Sequence, residues 1–96
     1  MGNMRDKETT MISDKRHADN YFATAPKGML TTMQSIIRKS VVQGWFGMFA
    51  DMGGYTDKDK NKMSAYRVVA ADMGITIGPF VLNRETGVAR ATITQG

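Results

Sequence analysis

From Met29 to Gly54 apolar side chains recur at helical spacing, and the rest of the chain has to be arranged around them. Met29, Met33, Ile36, Ile37, Ser40, Val41, Gly44, Trp45, Met48, Phe49 and Met52 share one broad face at the i, i+3, i+4, i+7 recurrence. Thr31, Thr32, Gln34, Ser35, Arg38, Lys39, Gln43 and Asp51 occupy the other. The spacing predicts a helix over 29–52. Gly44 and Gly47, each costing about 0.8–1 kcal/mol in a helix interior, are the positions for a kink. Gly53-Gly54 supplies the stop, because glycine readily takes the left-handed conformation at a helix end. The single tryptophan and two of the four phenylalanines lie here, so the core is expected to form on this stretch.

A second helix is signposted over 57–73. Thr56 is a natural N-cap, Asp59 three residues on can complete a capping box, and Asp57 and Asp59 put negative charge in the first turn. Met63, Tyr66, Val69, Ala70 and Met73 form its apolar stripe, and Gly74 ends it. Beyond it, 75–82 and 88–94 alternate as the two strands of an antiparallel hairpin, with Gly78-Pro79 marking a bulge or an edge and Asn83 to Gly87 the turn. A lone hairpin is marginal in water, so its apolar face must pack on a helix or pair with a further strand.

Ahead of these elements, residues 1–12 are polar and aperiodic and read as a flexible or partner-ordered N-terminal arm. Ser13 can cap a short helix to Ala23, which Ala25-Pro26 terminates. The expectation is an α+β fold: an arm, then one small domain over 13–96 with two principal helices and a C-terminal hairpin.

Composition narrows the function classes. The chain has no cysteine, which removes disulfides and thiolate chemistry and leans toward a reducing, cytoplasmic setting. A formal net charge of +4 permits acidic partners without selecting one. Residues 1–20 contain no apolar signal-like core, and Arg38, Lys39, Gln43 and Asp51 interrupt the one stretch long enough to suggest a membrane span.

Asp57-Lys58-Asp59-Lys60-Asn61 imitates the start of a calcium loop. Lys62 then stands where the sharp turn needs glycine, and Val68 where the loop needs its bidentate glutamate. A helix start explains the run better. His17 is the only histidine and reads as solvated, which leaves neither a zinc set nor a catalytic triad. No phosphate-binding glycine loop is present. Neither a cofactor, a metal nor a small-molecule substrate is implied.

What remains is binding. Trp45 and Phe49 lie on the apolar face of the expected long helix, whereas Phe46 points off it beside Val42. These four are the candidates for a protein interface, or for self-association. Lys58, Lys60, Lys62, Arg67, Arg84 and Arg90 are the candidates for an anionic partner. The leading expectation is a non-enzymatic accessory protein that binds a protein partner through its central helix, as an assembly component or regulator. The alternative is a winged-helix-like DNA-binding protein, with the second helix in the major groove and the hairpin on the backbone.

Overall fold

The computed structural model of the protein describes residues 15–95. The expected arm over 1–12 and the Ser13 cap lie outside the described residues. Within them the fold is α+β, with helices followed by a C-terminal antiparallel sheet. Helix α1 covers 15–24, α2 Met29–Gln43 and α3 Asp57–Asp72. The strands are β1 (Trp45–Phe49), β2 (Ile75–Ile77), β3 (Val81–Asn83) and β4 (Val88–Gln95).

The helix expected over 29–52 stops at Gln43. Gly44 takes a left-handed conformation at φ 95° and donates its amide to the Ser40 carbonyl, which closes the last turn. The chain then leaves as a strand. Trp45 to Phe49 alternates in burial, with Phe46 and Met48 turned into the core and Trp45 and Phe49 turned out. Phe46, which breaks the helical face, fits a period of two with Met48. Only Met33, Ile37 and Ser40 of the expected face are fully buried in α2, a narrower stripe than predicted.

Helix α3 begins as expected. The Thr56 hydroxyl accepts from the Asp59 amide, and the Asp59 carboxylate accepts from the Thr56 amide. Met63, Ser64, Ala65 and Tyr66 are buried in succession, so α3 is enclosed on several sides rather than along one stripe.

The hairpin forms with one irregularity. β2 and β3 both pair with β4 along the same side, and three residues, Gly78, Pro79 and Phe80, oppose Ala91 and Thr92 between them. The extra residue is the bulge that Gly78-Pro79 suggested. Arg67 holds it, donating to the Gly78 carbonyl at 2.9 Å with its guanidinium 5.2 Å from the Phe80 ring centroid. The hairpin's missing support is β1, which pairs antiparallel with the other side of β4 from Trp45↔Thr92 to Phe49↔Val88.

The core lies between α2, α3 and the inner face of this sheet. Phe46 and Met48 stand directly across from Ala91 and Ala89, whose small side chains leave room for them beneath the helices. The Phe46 ring packs 4.8 Å from Tyr66 and 5.8 Å from Phe80 between centroids. Burial raises the pKa of the Tyr66 phenol, with the neighbouring Tyr21 adding to the shift. Helix α1 adds Ala18 to the core and is tied to α3 by a 2.7 Å hydrogen bond between the His17 ring and the Asn61 side-chain oxygen. His17 is therefore a half-buried structural residue rather than a solvated one.

Candidate functional site: the outer face of the sheet

Among the described residues the helices cover one face of the sheet and leave the other open. Strand alternation fixes which residues it shows: Trp45, Gly47 and Phe49 on β1, Val88, Arg90 and Thr92 on β4, and Val81 and Asn83 on β3. Phe49 is 79% exposed and Val81 73%, values uncommon for large apolar side chains on an ordered strand. Trp45 is more sheltered. Its indole lies over Gly47, where an added Cβ would come within 2.5 Å of Cζ3, and the Arg90 guanidinium sits 4.0 Å from the ring centroid. Gly47 and Arg90 face one another across the β1–β4 pair, so the glycine makes the space in which the indole lies under the arginine. Phe49 and Val88, the next outward pair, continue the apolar surface.

The interface candidates therefore divide. Trp45 and Phe49 are presented on the outer face. Val42 is 89% exposed at the end of α2, just before β1. Phe46 is wholly buried, and its expected place in an exposed patch is corrected. The helix had put Phe46 outside; the strand turns it inside and Phe49 outside instead. Val81, Val88 and Gly47 were missed as site residues. For Val81 and Val88 the signal was the alternation itself, since every second residue of the expected hairpin had to face away from the helices; Gly47 stood in the expected helix, where it read only as a place for a kink.

The basic candidates divide too. Arg90 belongs to the outer face, and Arg84 is exposed in the turn between β3 and β4. Lys58 and Lys60 are exposed near the start of α3, and Lys62 is half-buried beside Asp59. Arg67 leaves the set, because its guanidinium is engaged by the bulge. The Asp-Lys-Asp-Lys-Asn run forms the first turns of α3. Asp59 there accepts from the amides of both Thr56 and Asp51 through the same oxygen, at 3.1 Å each, and so also fastens the β1–α3 loop. Burial raises the Asp59 pKa, but the amides of Thr56 and Asp51, the Thr56 hydroxyl and the Lys62 charge outweigh it and bring it below the ordinary carboxylate value. Among the described residues no helix is long and apolar enough to cross a membrane, and no three His, Cys, Asp or Glu side chains are grouped to hold a metal.

Chemically, the outer face offers aromatic and aliphatic area with one cation at its centre, which suits adhesion to another surface. Compared with known proteins, the chain matches no family model, no curated protein and no solved structure, so this face is read from its own residues.

Proposed function

We propose that this chain is a non-catalytic accessory protein that binds a protein partner through the outer face of its sheet. The reading rests on one observation: Trp45, Phe49 and Val81 lie on a single uncovered face with Arg90 at its centre. Burying such side chains contributes roughly 25 cal/mol per Å² removed from water. Aromatic residues and arginine are the types that most often dominate protein interfaces. Arg90 and the net charge of +4 favour a partner surface that is apolar with a carboxylate set to meet the guanidinium. This relocates the binding surface from the expected central helix to the strand that follows it.

The test uses the full chain carrying a photo-crosslinking amino acid at position 49, in native lysate. A discrete crosslinked product is expected, reduced at least tenfold by Arg90→Glu and by Val81→Lys. Neither change touches the inner core. Unchanged crosslinking in both variants, together with tight binding to duplex DNA that weakens steeply with salt and depends on Lys58 and Lys60, overturns the reading in favour of a nucleic-acid binder.

A further inference from the structure

Among the described residues strand β1 is the outermost strand on its side of the sheet, with no further strand paired to its outer edge. The Ala50 amide donates to the Gly87 carbonyl, extending the β1–β4 register by one residue. In an antiparallel pair, alternate residues direct both N–H and C=O the same way. Phe46, Met48 and Ala50 thus turn their backbone groups to β4, and Trp45, Gly47 and Phe49 turn theirs to the open edge. Of these, the Trp45 carbonyl accepts from the Gln43 side chain at 2.9 Å. Exposed edges are normally blunted by charges, by proline or by an irregular backbone. Trp45–Phe49 has no charged residue and no proline.

We infer that two copies of this chain associate by pairing their β1 edges antiparallel about a two-fold axis through Gly47. The strand has an odd number of residues, and its outward-turned backbone belongs to the first, third and fifth. With Gly47 on the axis, all three meet their counterparts in hydrogen-bonded register, the Gln43 side chain giving up the Trp45 carbonyl to the amide of Phe49 of the partner subunit; a shift by two leaves one of them unpaired. The partial charges along the edge, N–H beside C=O, complement those of the inverted copy. The absence of side-chain charge in the strand lets the two copies meet without local repulsion. Side chains of facing residues share a face, so Trp45 lies across from Phe49 of the partner subunit on the outer surface, an aromatic cross-strand pair made twice.

The area is modest. An aromatic side chain buries about 150–250 Å² when fully covered, and Trp45 and Phe49 are only part-exposed to begin with. Four such side chains would bury at most about 600–1,000 Å², so with their flanking backbone the two pairs stay below the roughly 1,200 Å² at which specific stable interfaces begin, which makes the dimer a weak, concentration-dependent one. The inference shares Trp45 and Phe49 with the proposed protein partner but leaves Val81 and Arg90 uncovered, and it fails or holds on measurements of the purified chain alone.

Sedimentation velocity of the full chain from about 1 to about 100 µM is expected to show a monomer–dimer equilibrium. Phe49→Lys places a charge in the edge strand and should weaken it at least tenfold. Val81→Lys, across β4 on the far side of the same face, should leave it unchanged. The chain lacks cysteine, so introduced thiols report the register. A mixture of Trp45→Cys and Phe49→Cys chains is expected to form an oxidised heterodimer. Facing residues in a hydrogen-bonded pair have Cα atoms about 5.5 Å apart, within disulfide reach, and the other aromatic pair is kept. Phe49→Cys alone should crosslink far less. A folded monomer throughout the concentration range, or Phe49→Cys self-crosslinking as efficient as the mixture, overturns the proposal.

Discussion

Arg90 and Trp45 stack on the open face of the sheet, with the guanidinium 4.0 Å from the ring centroid and Gly47 beneath the indole. Each residue keeps the other in place. The arginine stem and the ring limit one another's rotamers, so the face is partly organised before any partner arrives, which reduces the ordering cost of binding. A cation over an indole at an exposed site is worth about 0.5–1 kcal/mol.

Arg90→Met keeps the length and removes the charge. It is expected to lower folding stability by about 0.5–1 kcal/mol in urea denaturation. Trp45 is the only tryptophan, so its fluorescence reports this site alone. Its emission should change in intensity and shift to longer wavelength as the indole loses its cover.

Phe46 and Phe49 are three residues apart and have opposite fates. Phe46 is fully buried against Tyr66 and Phe80, whereas Phe49 is 79% exposed. Truncating a buried phenylalanine to alanine costs about 3–5 kcal/mol, a large part of a small domain's total of about 5–15 kcal/mol. Phe46→Ala should therefore be largely unfolded or melt at a far lower temperature. Phe49→Ala should stay within about 0.5 kcal/mol of the parent when measured under dilute, monomeric conditions. Equal losses in the two variants would contradict the strand assignment of β1.

How much of this was legible in the sequence depends on the reach of each signal. Helix α3 was readable because its cap is local: Thr56 and Asp59 satisfy each other's backbone without help from the fold. The turn before Gly87 was readable for the same reason, with the Asn83 side chain accepting from the Glu85 amide. The end of α2 was not. Met48, Phe49 and Met52 continue a helical spacing by coincidence, and β1 is held by pairing with β4, a partner some forty residues away whose register no local pattern specifies. Two clues pointed the other way: Gly44, and the awkward placement of Phe46 on a polar face. The candidate site inherited this error. Reading β1 as helix kept Trp45 and Phe49 together by accident and assigned Phe46 to the wrong side.

Gly44 decides that boundary, and its role can be isolated. It sits at φ 95°, and an added Cβ would meet nothing within 4 Å, so a substitution there encounters only backbone strain. Gly44→Ala is expected to cost about 1–2 kcal/mol, the penalty of a side chain in the left-handed region. For a domain of about 100 residues this lowers the melting temperature by several degrees, read by circular dichroism. Gly44→Asn should recover part of the loss, because asparagine tolerates that conformation better.

Acid provides the last test, through Asp59. Its carboxylate accepts amides from both the α3 cap and the preceding loop, and together with Lys62 these donors bring its pKa below the ordinary value of about 3.9 despite the opposing effect of burial. A carboxyl whose folded-state pKa is depressed contributes stability fully above the unfolded value and loses it as pH falls through the folded one. At pH 7 Asp59→Asn should therefore destabilise the protein by about 1 kcal/mol, from the weakened acceptor and the lost charge at the helix N-terminus. Below the folded-state pKa the native carboxyl is itself neutral, and the gap between the two proteins should close. Urea midpoints measured on both chains from neutral pH down to about pH 2.5 supply the comparison. A gap that persists undiminished in acid would mean that the ionised form of Asp59 is not what fastens the loop to α3.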